Sequence, residues 1–233
     1  MGDAKEVVYG RNPVRELIAS GRRRVHEIHC LPDLASEDWG PGAPRPIQAD
    51  RARLGRMAGS SDHQGVVAVT DPYPYIEEGA LLAAGGRLIS LDGVQDPRNL
   101  GAVCRVAEAA GITGIVVPSR GSPGVTPAVA KTSAGAVEHL HLCRVDNLPR
   151  VLHDLGTRGR PRFGADAERG QDYRSVVWPP DAVLVIGGEG EGLRPRVRER
   201  CDQLVAIPMA GTVGSLNLSV ATALLAFEAI RPA

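Results

Sequence analysis

Residues 182–193 read Ala182-Val183-Leu184-Val185-Ile186-Gly187-Gly188-Glu189-Gly190-Glu191-Gly192-Leu193. A run of apolar residues, Val183, Val185 and Ile186 among them β-branched, leads straight into a glycine-rich turn. A strand that is apolar at every position has both faces covered, which is the mark of a parallel sheet packed between helices. In such sheets ligands bind beyond the carboxyl ends of the strands, so chemistry belongs in the turn that follows. Glycines there let the backbone approach a ligand closely or take positive φ, whereas turn chemistry alone does not explain the Glu189 carboxylate. Gly188-x-Gly190-x-Gly192 superficially resembles a dinucleotide-binding loop. That fingerprint opens its domain, with a ribose-binding acid about 20 residues later. Only about 40 residues follow here, and the reading fails on position.

Working outward, strands and helices alternate on both sides. Leu88–Leu91 reads as a strand, and Leu100–Ala110 as a helix with Val103, Val106, Ala107 and Ala110 on one face and Gly111 as its stop. Ile115–Val117 is a strand, Thr126–Ala134 a helix, His139–Val145 a strand, and Asn147 caps a helix to Leu155. After the glycine turn come a helix at Arg194–Cys201, a strand at Leu204–Ile207 and a closing helix at Leu216–Ile230. The expected fold is α/β, with residues 87–233 forming a large parallel-sheet domain. Residues 1–71 read as a smaller α/β unit: a helix from Asn12-Pro13 to Gly21, a strand at Val25–Cys30, a helix at Asp50–Ala58 and a strand at Gly65–Val69. The stretch 72–86, with its prolines, paired acids and Gly85-Gly86 end, reads as a linker.

Two other loops at strand ends hold polar candidates. After Leu91 comes Asp96-Pro97-Arg98-Asn99, where Asn99 reads as an N-cap and Arg105 stands about one and a half turns into the helix. After Leu204–Ile207, a glycine-bearing loop leads to Ser215, a candidate cap, and to Asn217 inside the first turn. A metal site is not expected, because His139 and His141 share a strand face without a third ligand nearby. Neither a GxSxG elbow nor an HExxH pair supports a hydrolase.

Composition narrows the partners. With 43% apolar residues, the chain can build a core without disulfides. Cys30, Cys104, Cys143 and Cys201 form no CxxC pair and read as free thiols of a reducing cytoplasm. No run of 18 apolar residues and no signal-type h-region is present, so neither a membrane partner nor export is expected. Two Trp, four Tyr and two Phe are too few for a base-stacking platform. The 27 basic residues balance 27 acidic ones, and all the basic ones but Lys5 and Lys131 are arginine, the planar phosphate ligand. The signs are segregated, however. Segment 11–24 carries five arginines against one acid, 45–56 four against one, and 62–78 four acids and no Lys or Arg. Arg11, Arg22, Arg23 and Arg24 are therefore expected on an RNA-facing surface.

At its three loops the chain resembles the SpoU (TrmH) family of SPOUT RNA methyltransferases. The residues carrying the resemblance are Asn99-Leu-Gly-Ala-Val-Cys-Arg105, Leu184-Val-Ile-Gly-Gly-Glu189-Gly-Glu-Gly-Leu193 and Ile207-Pro-Met-Ala-Gly-Thr-Val-Gly-Ser215-Leu-Asn217-Leu-Ser-Val-Ala. They occur in the family's order and spacing. Tyr9-Gly-Arg-Asn-Pro-Val14 and His63-Gln-Gly-Val-Val67 look like the family's substrate-binding domain, similar to ribosomal protein L30e. The whole arrangement looks most like the bacterial 23S rRNA guanosine 2′-O-methyltransferases.

The resemblance implies a C-terminal trefoil knot, against the general rule for chain connections. It also implies a homodimer with its site near the subunit interface, and methyl transfer from S-adenosylmethionine to a ribose 2′-hydroxyl of RNA, rRNA first. Gly187, Gly188, Ile207 and Leu216 match the cofactor-binding positions. Arg105 matches the catalytic arginine, and Asn99, Glu189, Ser215 and Asn217 match the other polar site positions. A tRNA 2′-O-methyltransferase of the same family, or a catalytically silent RNA-binding assembly factor, stands as the alternative reading.

Overall fold

The computed structural model describes residues 5–188, 192–212 and 214–231. Glu189 and the rest of 189–191 lie outside them. The chain divides into two compact units, Met1–Pro74 with Val125–His139, and Tyr75–Gly124 with Leu140–Ala233.

The first unit holds strand β1 (Glu6–Tyr9), helix α1 (Arg11–Ser20), β2 (Val25–Cys30), β3 (Ile47–Gln48), α2 (Arg51–Ala58) and β4 (Val66–Thr70). Its sheet runs β1-β4-β2-β3, antiparallel except for the β2–β3 pair. Helix α1 stops where the sequence predicts, with Gly21 in the left-handed region at φ 60°. Its start differs, because Gly10 at φ 97° takes the cap position and Asn12 lies inside the helix. The motif His63-Gln64-Gly65 is a turn into β4. Gln64 and Gly65 both take positive φ, and the Gly65 N–H donates to His63 Nδ1 at 3.0 Å. Burial lowers the His63 pKa, in keeping with a neutral ring that accepts at Nδ1.

Residues 125–139, which the sequence reading gives to the large domain, pack in this first unit. Helix α5 (Pro127–Thr132), capped by Thr126, buries Val129 and Ala130, and Val137 follows it into the interior. The Tyr73 hydroxyl donates to the Val137 carbonyl at 3.1 Å. A buried ion pair joins Arg23 to Glu138, whose side chains are 2% and 1% exposed. The expected linker is also not a linker. Helix α3 (Glu78–Ala83) sinks Leu81 and Leu82 into the core of the second unit, while Tyr73 is buried in the first.

The second unit continues through β5 (Leu88–Asp92), helix α4 (Pro97–Ala109), β6 (Gly114–Pro118), β7 (His141–Val145), α6 (Leu148–Thr157), β8 (Arg162–Ala165), β9 (Gln171–Asp172), β10 (Val183–Gly187), α7 (Pro195–Arg198), β11 (Gln203–Ala206) and α8 (Leu218–Ala229). Its seven strands form one parallel sheet in the order β7-β6-β5-β10-β8-β11-β9. Val183, Leu184, Val185 and Ile186 are all buried, as a strand covered on both faces requires. The chain lays β5, β6 and β7 outward in one direction and then returns to the other side with β8. Strand β10 fills the place between β5 and β8, so the order reverses beside it. Such a reversal opens a crevice at the carboxyl ends of the strands.

Candidate functional site

Two cavities open at that end of the sheet, one on each side of the turn after β10. The first, about 540 Å³, is walled by the loops after β8, β10 and β11 and by the start of α8. The second, about 450 Å³, is walled by the loops after β5, β6 and β10. Gly188, Gly192 and Leu218 line both.

The turn between them is held by close backbone packing and by one carboxylate. Gly188 and Gly192 form an isolated bridge, and the Gly192 N–H donates to the Gly188 carbonyl at 3.3 Å. Gly187 and Gly188 do not need positive φ; they need the absence of a side chain. A Cβ on Gly187 would run into the Gly192 carbonyl, and one on Gly188 would lie 2.7 Å from the Gly93 carbonyl oxygen. Asp92, 1% exposed at the end of β5, anchors the far side. Its Oδ2 accepts from the Arg194 N–H at 2.8 Å, and its Oδ1 from Arg194 Nε at 2.6 Å.

In the first cavity Ile186, Val205, Ile207, Leu216 and Leu225 supply apolar wall, and Asp166 and Glu168 supply acids. Asp166 is fixed by its own turn, accepting from the N–H groups of Glu168 and Arg169 at 3.1 Å, and it pairs with Arg198 at 2.9 Å. Arg198 in turn donates to the Leu193 carbonyl at 3.2 Å, tying the loop after β8 to the end of the glycine turn. The volume is in the range of small-ligand sites. The apolar wall suits a nucleoside base, and the acids suit a ligand with cationic groups.

All four expected cofactor residues, Gly187, Gly188, Ile207 and Leu216, line this cavity, together with Ser215 and Asn217. The caps are reassigned. Asn217, not Ser215, caps α8, with its Oδ1 accepting from the Ser219 N–H at 2.9 Å and hydroxyl at 2.7 Å. Asp96, not Asn99, caps α4, accepting from the Arg98 N–H at 2.8 Å ahead of Pro97. Asn99 therefore sits within the first turn of α4, where it lines the second cavity. Arg105 stands exposed on α4 and lines neither cavity. Glu189 lies outside the described residues.

The arginine surface of the first unit needs correction. Arg23 is buried, donating to the carboxylates of Glu138 and Glu6, so it is a structural cation and cannot face RNA. Arg22 is half-buried, donates to the Glu138 carbonyl at 3.2 Å and lies over the Tyr73 ring. Arg11 and Arg24 remain exposed.

Sequence reasoning missed Asp92, Arg120, Asp166 and Glu168. The last two follow β8, whose Arg162-Phe163-Gly164-Ala165 has one large apolar residue and no period-2 pattern. The Asp166-Ala-Glu-Arg-Gly170 turn was the available signal, but without a strand before it nothing marked it as a site.

Comparisons with known proteins give the chain's relatives. The SpoU rRNA Methylase family model matches residues 86–227, and the model for RNA 2′-O ribose methyltransferase substrate binding matches residues 7–76. A 23S rRNA (guanosine-2′-O-)-methyltransferase of Ralstonia nicotianae is 44% identical over 191 residues, covering 80% of this chain and 77% of its own. An uncharacterized tRNA/rRNA methyltransferase of Mycobacterium avium is 38% identical over 238 residues, covering 97% of this chain and 77% of its own. In fold, the chain is similar to the SpoU methyltransferase AviRb of Streptomyces viridochromogenes, solved with the cofactor AdoMet. That match has a TM-score of 0.81 at 22% identity, over 97% of this chain and 89% of that one.

Proposed function

The chain belongs to the SpoU rRNA methylase family of RNA 2′-O-methyltransferases, and from that premise we propose that it methylates a ribose 2′-hydroxyl of 23S rRNA, at a guanosine, using S-adenosylmethionine. One observation carries the reading: the four expected cofactor residues, from two separate segments of sequence, line a single cavity. The name of the Ralstonia relative supports rRNA and guanosine. Names that join tRNA and rRNA, as for the mycobacterial relative, favour a tRNA acceptor as the second reading.

When bound, S-adenosylmethionine supplies a methyl group already activated on a sulfonium. Gly187 and Gly188 would keep the wall thin for it, Ile207 and Leu216 would give it apolar contact, and the carboxylates of Asp166 and Glu168 would suit its cationic groups. Asn99 and Ser215 orient polar groups on the two sides of the turn. Arg105 activates the acceptor. A guanidinium stays protonated at neutral pH and does not serve as a base. Arg105 therefore favours the developing charge on the 2′-oxygen.

Its place outside both cavities fits a site completed by a second copy of the chain. Helix α8, which packs on α4, leaves Val220, Leu224 and Phe227 exposed at spacings of four and three, an apolar stripe of the kind a homodimer buries. A cytoplasmic location goes with a ribosomal substrate, and among the described residues no helix is long and apolar enough to cross a membrane.

Purified protein incubated with methyl-labelled S-adenosylmethionine and RNA from a strain lacking it should place label on a ribose 2′-oxygen. Label on bases only, or none, would refute the reading.

A further inference from the structure

The second cavity has a charge of the opposite sign to the first. Among the described lining residues, the first has two acids, Asp166 and Glu168, against Arg198. The second has two arginines, Arg120 and Arg194, against Asp92. S-adenosylmethionine, with a sulfonium and an ammonium against one carboxylate, is a net cation and suits the first. The second suits an anion.

The excess charge can be traced to one residue. Both oxygens of Asp92 are taken up by Arg194, so that pair is neutral. Arg120 is exposed and has no carboxylate partner among the described residues. Its loop is anchored nonetheless. The Ser119 N–H donates to the Val145 carbonyl at 2.8 Å, and Arg144 donates to the Ser119 carbonyl at 2.6 Å. Gly121 then turns the chain at φ 77°. Arg120 is thus a planar, bidentate cation presented from a fixed backbone, the form of side chain that recognises a phosphate. The two cavities share Gly188, Gly192 and Leu218 as wall, so a methyl donor in one and an acceptor in the other would be neighbours.

We infer that the second cavity holds the RNA backbone phosphate beside the acceptor ribose, with Arg120 as its ligand and Asp92 as the positioning residue that neutralises Arg194 and fixes the turn. The inference rests on the reading that the first cavity takes S-adenosylmethionine.

The test compares wild type, Arg120→Ala and Arg120→Lys on total RNA from a strain lacking the protein. At sub-saturating RNA the rate reads kcat/KM, followed as a function of salt. Arg120→Ala should lower kcat/KM for RNA by about ten- to a hundredfold, the span of a charge-assisted hydrogen bond. It should also make the slope of log kcat/KM against log salt shallower by about 0.7, one single-strand phosphate contact. Affinity for S-adenosylmethionine should not change, and Arg120→Lys should restore the slope.

An unchanged slope and kcat/KM in Arg120→Ala, with an active wild type, overturns this inference alone. A wild type that methylates none of the RNA overturns it together with the proposed function. Calorimetry with inorganic phosphate alone separates a free-anion site: saturable binding lost in Arg120→Ala, with an unchanged RNA slope, overturns the assignment to RNA. Arg120 is exposed, so its replacement leaves the core intact.

Discussion

Replacing Gly187 by alanine tests the glycine turn at its tightest point. The residue does not take positive φ, so alanine is conformationally permitted there and the whole effect is steric. The new Cβ would overlap the Gly192 carbonyl and approach the Leu193 nitrogen to 2.5 Å, where ordinary contact begins at 3.4 Å. Every one of these neighbours is backbone, so no flexible side chain can yield, and the turn must move by about 1 Å. Overpacking in a well-packed region costs about 1–3 kcal/mol, and a clash with backbone alone belongs at the upper end. About 3 kcal/mol taken up by opening the turn would weaken S-adenosylmethionine binding on the order of a hundredfold. Absorbed without opening it, the same cost would appear as lost stability. Calorimetric affinity and thermal unfolding, measured on one preparation, therefore account for it between them. Gly192→Ala is the control. It has open space but sits at φ 64°, so its cost is the left-handed backbone alone, about 1 kcal/mol. Wild-type affinity together with wild-type stability in Gly187→Ala would refute the steric argument.

Arg105→Ala should abolish methyl transfer while melting temperature and cofactor affinity stay at wild-type values; near-normal turnover would remove Arg105 from the reaction. Arg23→Ala leaves Glu138 charged, buried and short of its partner, and should cost about 3–5 kcal/mol by urea unfolding. Arg24→Ala, at an exposed position, should leave stability within about 0.5 kcal/mol and weaken RNA binding in a salt-dependent way; the reverse pattern would mean the two arginines have been misassigned. Burial pushes the thiols of Cys104 and Cys201 up to about 12 and that of Cys143 to about 11, and raises Cys30 as well. All four should then be protonated and inert to a thiol reagent at pH 8 until the protein is denatured; rapid labelling of the native protein would contradict this.

Much of the first cavity could be read from residue order because two contiguous stretches wall it. Apolar β10 and the glycines after it, and the loop from Ile207 to Asn217, are contiguous in sequence, and each marks a strand end by itself. What escaped depends on partners far away in the chain. Arg23 reads as one of a run of surface arginines until Glu138, 115 positions on, is found to neutralise it. Asp92 reads as the first residue of a loop until Arg194, 102 positions on, closes over it. The caps were misplaced for a local reason. Asp96-Pro97 is a stronger start than Asn99, since proline at the first helical position costs no hydrogen bond. Asn217 bonds the second residue beyond it, as a cap does. Strand β8 was invisible because only Phe163 among its four residues is large and apolar, and its place in the sheet is set by β10 and β11 on either side of it.

The most direct test of the central claim is a map of ribose 2′-O-methylation across total RNA from cells with and without the protein. One guanosine of 23S rRNA should lose its 2′-O-methyl group in the strain without it, and wild-type protein should restore the mark where Arg105→Ala does not. Identical maps from the two strains would contradict it.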